Sequence, residues 1–352
     1  MRKEWADVHK VPFFASPRYD AALDAVCQRL GVHDTHIAHN GPNSKIVEGS
    51  ARLGHDVGTI PHNAPGEHSC GWCTFGCTRG LKQGMQETFL ADAAKAGAHF
   101  VVNANVYRIE HRNGRATGIV ATYSDGKQTR TFKVHAKVVV VSAGSLNSPV
   151  LLLRSGLKNK NIGRHLRLHP VSMVRGEFPG QDIDPWEGCN MSAVSRVVAD
   201  RNGSGYGALI ETPIIHPGFG VGQMPWRSLS EFKTHALGIQ KGDHYLFNTD
   251  KNTGLKNSAH LLVLVRDSGS GGTIEVDRDG RKLINYQLNQ FDVDSAVEGI
   301  VASVKILVAA GATEIQAGSP DLATFKPRST DVDDPALQRY LTEIRRHGLP
   351  VS

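Results

Sequence analysis

The sequence predicts a mixed fold, α/β combined with α+β, and three observations carry that reading. Residues 137–154, KVVVVSAGSLNSPVLLLR, pass from four consecutive valines through small residues into a short helix, the strand–turn–helix unit of a parallel sheet apolar on both faces. Residues 99–135 hold three alternating segments separated by Asn113-Gly114 and Asp125-Gly126, which predicts a three-stranded antiparallel meander. After Pro170, short runs such as SMVRGEF, GALIET, HLLVLVRD, GTIEVD and LINYQL alternate with Gly, Asn and Asp turns, which predicts a second antiparallel sheet.

The bulk properties bound the class. At 352 residues the chain has the length of about two domains. With 40% hydrophobic and 21% charged residues it is globular rather than disordered or fibrous. Forty basic against 34 acidic residues give only +6, scattered along the chain and without a dense Lys/Arg tract interleaved with aromatics, so nucleic-acid binding is not expected. No apolar run approaches the ~18 residues a bilayer span needs. The opening MRKEWADVHK lacks the apolar stretch of a secretory signal, and Cys27 and Cys189 have no evident partners, so a reducing, intracellular compartment is expected.

Taken in order, the elements read as follows. Tyr19, Ala22, Leu23, Val26 and Leu30 recur at helical spacing from Ser16 to Leu30, and Gly31 ends the helix. Residues 31–69 are rich in His, Asn, Gly and Pro and read as a long irregular segment. KQGMQETFLADAAKAG then predicts a helix with Met85, Phe89, Leu90 and Ala93 on one side and a stop at Gly97. Ser148 and Pro149 are expected to open the helix after the valines, as N-cap and first helical residue. A long helix carries Val297, Ile300, Val301, Val304 and Val308 on one face, and a last helix spans about 335–347.

Chemistry concentrates in two places. A turn of small residues between a buried strand and a helix lets a polyanionic cofactor approach main-chain N–H groups favoured by the helix dipole, and Ala143, Gly144 and Ser145 lie there. Many strand-to-helix turns are small only for packing, so this pattern alone leaves both readings open. The second place is CGWCTFGC, residues 70–77, where Cys70, Cys73 and Cys77 supply three soft ligands. His68 or His62 could complete a zinc site; the alternative is a packed glycine-rich turn.

In its longer context AGSLNSPVLLLRSGL, from Ala143 to Leu157, resembles the second signature of the glucose-methanol-choline (GMC) family of flavin oxidoreductases. RKEWADVHK, YDAALDAVCQRLGV, CGWCTFGCTRGLKQ, VSAGSLNSPVLLLRSGL and NIGRHLRLHPV, in that order, are similar to the long-chain fatty alcohol oxidases within it. The resemblance runs over nearly the whole chain. It implies FAD as cofactor and oxidation of a primary, long-chain alcohol to the aldehyde, with molecular oxygen as acceptor and hydrogen peroxide as product. It also implies that Val106 holds the adenine through its backbone and that Ala143, Gly144 and Ser145 approach the dinucleotide.

The same resemblance implies a division into a partial FAD-binding domain, 1–170, that includes the irregular cysteine segment 31–80, a substrate-binding domain, 171–320, and a C-terminal helical segment, 321–352, returning toward the first. The FAD domain would hold an incomplete Rossmann-like sheet and the meander; the substrate domain would build one wall of the pocket from its antiparallel sheet. Trp186 and Met191 are candidate lining or core residues. The family's N-terminal G-x-G-x-x-G is absent, and the clusters NGSGYG, GFGVG and SGSGG neither follow a buried strand nor open a helix. None of the 17 histidines stands in a motif like the family's catalytic segment, so no catalytic residue is assigned. The expectation is therefore a truncated form that holds FAD weakly on its own and exposes a sheet edge and apolar surface. A catalytically inactive GMC-like fragment and a cysteine-based zinc module are the alternatives. The narrower family also makes peripheral membrane association an expectation.

Overall fold

The computed structural model describes residues 1–216, 255–269, 271–319 and 321–349. The described elements in order are α1 (Arg2–Asp7), a 3-10 turn (Pro12–Ala15), α2 (Pro17–Leu30), α3 (Gly41–Arg52), β1 (Val57–Thr59), a π turn (Gln86–Leu90), α4 (Ala91–Lys95), β2 (Ala104–Arg112), β3 (Arg115–Ser124), β4 (Thr129–His135), α5 (Gly144–Arg154), β5 (Val171–Glu177), β6 (Ala193–Ser195), β7 (Ala208–Glu211), β8 (Ser258–Val265), β9 (Thr273–Val276), β10 (Lys282–Asn285), α6 (Gln290–Ala309), β11 (Glu314–Gln316) and α7 (Pro335–His347). They divide into two compact units: residues 1–91, 169–266 and 291–352 form one, residues 92–168 and 267–290 the other. The glycine cluster at 218–222 lies outside the described residues.

The larger unit is built on a six-stranded antiparallel sheet of order β1-β6-β7-β8-β5-β11. Alternation sends Ala259, Leu261, Val263 and Val265 of β8 to one face, where they share a core with Val174, Ile210 and Ile315 of the neighbouring strands and with Val297, Ile300, Val301, Val304 and Val308 of α6. The five α6 positions expected to face a core are all buried. Gly299 lets α6 lie on β8, since a Cβ there would meet Val263 Cγ1 at 2.2 Å. Gly49 does the same where α3 crosses α6, its Cβ position falling 2.1 Å from the Ile306 carbonyl oxygen. α7 closes the core with Leu337, Tyr340, Leu341 and Ile344, and Arg345 forks onto both carboxylate oxygens of Glu298 at 2.7 and 2.9 Å.

Helix α3 corrects the expectation of an irregular segment. Asn40 caps it, its side chain accepting from the Asn43 N–H, and Pro42 stands in the first turn. Its buried face includes Asn43, Lys45, Gly49 and Ser50, so no apolar stripe announced it. Asn43 joins α3 to β6: its Oδ1 accepts from the N–H groups of Ser192 and Ala193 at 2.9 and 2.7 Å, and its Nδ2 donates to Asn40 and to the Cys189 carbonyl. Helix α2 forms with Ser16 as its N-cap and ends at the expected Gly31, which is left-handed, yet it buries none of its residues. In the KQGMQETFL segment the side chain that goes inside is Thr88, while Met85, Phe89 and Leu90 are exposed.

The smaller unit contains the expected meander, β2-β3-β4, turned at Asn113-Gly114 with positive φ at both residues and at Asp125, whose carboxylate accepts from the Lys127 and Gln128 N–H groups. Helix α5 packs on β2 through Ser155, whose hydroxyl accepts from the Ile109 N–H at 2.7 Å. The β9–β10 hairpin joins them, and Val150, Leu166 and Ile274 form a small core. The four-valine segment departs from expectation. Residues 137–142 pair with no strand among the described residues, and Val138 and Val140 are 75% and 80% exposed. Phe100, Val101 and Val102 are exposed likewise. Their β propensity is realised only when neighbouring strands supply hydrogen-bond partners.

Candidate functional site

The small-residue turn is the head of α5. The helix begins at Gly144, five residues before the expected first helical residue Pro149, which sits inside it. Ser148 still serves the terminus from within, its hydroxyl accepting from the Ala143 N–H at 3.1 Å. Pro149 has no N–H to give the Ser145 carbonyl, which loosens the first turn. Ala143, Gly144 and Ser145 are all exposed. Gly144 takes φ +80°, a left-handed conformation costly to other residues, and the space at its Cβ position is open. An exposed main chain whose first-turn N–H groups lie outside the helical ladder is chemistry suited to a phosphate.

Val106 lies on β2, opposite Ala121 of β3, and its side chain is exposed. The register shifts between Val106 and Arg108, a bulge of the kind that re-aims a strand's backbone beside a site. All four expected cofactor contacts thus belong to the smaller unit, on a helix and the strand it packs against. A groove of about 600 Å³ in this unit is lined by Leu153, Arg154, Ile162, Arg164, Ile274, Glu275 and Val276, at the opposite end of α5, and includes none of the four.

The sheet of the larger unit is chemically two-sided. Opposite the apolar face, Arg175 of β5 pairs in register with His260 of β8 and with Gln316 of β11. Arg175 forms an ion pair with Glu177, yet burial outweighs that pairing and raises the Glu177 carboxyl to about 6. Burial, with the Arg175 charge adding to it, drives the imidazole of His260 down to about 3, and its Nδ1 has no hydrogen-bond partner. These buried ionisable groups were not singled out in the sequence. Charged residues among strand residues carry no signal until register assigns their face.

The cysteine segment also belongs to the larger unit. The zinc reading is not supported: among the described residues no group of three or more His, Cys, Asp or Glu side chains is arranged to hold a metal ion. Both rings are otherwise engaged. His62 meets His68 at 2.8 Å through Nδ1 and the Met191 carbonyl at 3.2 Å through Nε2, while His68 Nδ1 faces the Gly66 carbonyl at 3.1 Å. The five cysteines are free thiols. Trp186 and Met191 are half-buried. No helix among the described residues is long and apolar enough to cross a membrane.

Comparison with known proteins agrees with the sequence resemblance. Residues 1–171 match the GMC oxidoreductase family model. The long-chain-alcohol oxidase FAO4A of Arabidopsis thaliana is 38% identical over 326 residues, covering 89% of this chain and 42% of that protein. The long-chain-alcohol oxidase FAO4B of the same plant is 34% identical over 359 residues, covering 98% and 45%. The chain therefore spans less than half the length of these relatives. Among solved structures, pyridoxine 4-oxidase from Mesorbium loti shares the fold with a TM-score of 0.51 at 14% identity, over 89% of this chain and 58% of that one. Residues 1–171 of the chain therefore belong to the GMC oxidoreductase family.

Proposed function

We propose that this chain forms part of an FAD-dependent oxidase that converts a primary, long-chain alcohol to the aldehyde and passes two electrons and two protons to molecular oxygen, giving hydrogen peroxide. The observation that carries the reading is the exposed, glycine-headed first turn of α5 within the family-matched segment. FAD would supply hydride acceptance from the alcohol carbon. Ala143, Gly144 and Ser145 would lie along the dinucleotide with Gly144 keeping side-chain bulk away, and Val106 would offer its main chain to the adenine. Gly144 fits this role by conformation, because its φ excludes β-branched residues at little cost to glycine itself. The names of the plant relatives support the substrate class. A substrate of that kind partitions into lipid, so we include peripheral membrane association in the proposal.

The test is direct. The oxidase that contains this chain, purified from its source and loaded with FAD, is given a long-chain primary alcohol while oxygen uptake and peroxide are followed together. Equal molar consumption of oxygen and appearance of peroxide, dependent on alcohol, is expected. Flavin that stays oxidised under anaerobic alcohol would refute the reaction. Co-sedimentation with vesicles of neutral phospholipid tests the membrane component, and recovery of all protein in the supernatant would remove it.

A further inference from the structure

The cysteine segment is unused by this reading, and its geometry assigns it a chemistry of its own. The chain turns back between Cys73 and Cys77, with the Phe75 N–H donating to the Trp72 carbonyl at 2.9 Å, and then folds round the sulfur of Cys77. That sulfur accepts from the N–H groups of Leu81 and Lys82 at 3.2 and 3.3 Å. Two main-chain donors aimed at one sulfur favour its anion. Cys73 stands on the near side of that turn, three residues after Cys70 and four before Cys77.

From this arrangement we propose that Cys77 is an oxidation site for hydroperoxides, with Cys73 as the thiol that resolves it into a disulfide. The Cys77 thiolate attacks one oxygen of hydrogen peroxide; the O–O bond breaks, the sulfur loses two electrons to become a sulfenic acid, and the departing hydroxide takes a proton to become water. The Cys73 sulfur then attacks the Cys77 sulfur, the S–S bond forms, the S–O bond breaks, and hydroxide leaves with the Cys73 proton as a second water. Two thiols are oxidised and one peroxide is reduced to two waters. The contrast among the thiols follows from their surroundings. Main-chain N–H groups, that of Lys82 foremost, hold the Cys77 thiol below its ordinary range, whereas burial pushes the thiol of Cys189 up. Cys189 is buried and donates to the His68 carbonyl, which removes it from competition.

The site needs only peroxide, whatever its source, so it stands or falls separately from the proposed oxidase activity. The protein is exposed to hydrogen peroxide with and without dimedone, then cleaved with chymotrypsin, which cuts after Trp72 and Phe75 and places Cys70, Cys73 and Cys77 on separate peptides. Cys77 is expected to react about tenfold faster than Cys27 or Cys189. A Cys73–Cys77 link is expected without dimedone. Cys73→Ser should trap Cys77 as the dimedone adduct, and Cys77→Ser should leave Cys73 reduced, with circular dichroism reporting that each variant folds. Oxidation of Cys27 or Cys189 at the rate of Cys77, or a disulfide that joins Cys70 to Cys73 and spares Cys77, would overturn the proposal. The wild-type digest alone decides between these outcomes if a variant fails to fold.

Discussion

The two compact units differ in how completely each buries its own apolar residues. In the larger one, the six-stranded sheet, α3, α6 and α7 close a core in which Leu261, Val304, Ile306 and Leu341 have no exposed surface. In the smaller one, α5 and the β9–β10 hairpin share a small core of Val150, Leu166 and Ile274 and the meander buries Ile109, Val120 and Ala121, while Val138, Val140, Val101 and Val102 face outward. The same residue type is thus spent on stability in one unit and left available in the other. The apolar residues of the smaller unit lie directly before the two elements that carry the proposed dinucleotide contacts, β2 and α5.

Substitutions can break this contrast. The largest effect is expected for Leu261→Ala, which removes a fully buried side chain from β8 and should cost about 3 kcal/mol in chemical denaturation. A cost under 1 kcal/mol would mean that the core of the larger unit is loosely packed. Next, Asn43→Ala leaves the N–H groups of Ser192 and Ala193 without their acceptor and should cost about 2 kcal/mol, whereas Asn43→Asp, which keeps the accepting oxygen, should retain more of the stability.

The third effect depends on pH. His260 is held near 3 in the folded protein against 6.5 ordinarily, so the unfolded chain binds a proton that the folded one refuses, and stability falls as pH drops from about 6.5 toward 3. Glu177, raised from 4.5 to about 6, acts with the opposite sign: the folded protein takes its proton first, and stability rises as pH falls between those values. The two offset each other from 6 to 4.5; below 4.5 the His260 contribution remains, up to about 1.4 kcal/mol per pH unit. His260→Gln should flatten the melting temperature between pH 4.5 and 3 relative to wild type, as these values set the window. Parallel pH profiles for the two proteins would show that His260 is not held neutral by burial. The smallest effect is expected for Val140→Ser, within about 0.5 kcal/mol in stability, with lower binding of a hydrophobic dye. A loss comparable to that of Leu261→Ala would place Val140 in a core after all.

Much of the architecture was legible because local chemistry and final structure agree. Asn113-Gly114 and Asp125-Gly126 supply the positive φ and the side-chain acceptor that hairpins need, and Asp334-Pro335 caps α7 through N–H groups two and three residues on. Helix α3 was hidden because its buried face sets Asn43, Lys45 and Ser50 beside Ile46 and so shows no apolar stripe, and because the partners of Asn43, the Ser192 and Ala193 N–H groups, lie some 150 residues away. The four valines mislead for a related reason: composition states a preference for strand, but pairing is supplied by other segments. For the candidate site, the sequence located Gly144 and the cysteines. It could not reveal the left-handed conformation of the first, the main-chain donors around Cys77, or the engagement of His62 with His68.

The central claim is that the first turn of α5 receives a flavin dinucleotide on bare main chain. Titration of the purified chain with FAD, followed by flavin fluorescence, against the Gly144→Val variant tests it most directly. Weak but saturable binding is expected, reduced at least about tenfold in the variant while the far-ultraviolet dichroism is unchanged. Equal affinity in the two proteins, or no saturable binding by either, would contradict it.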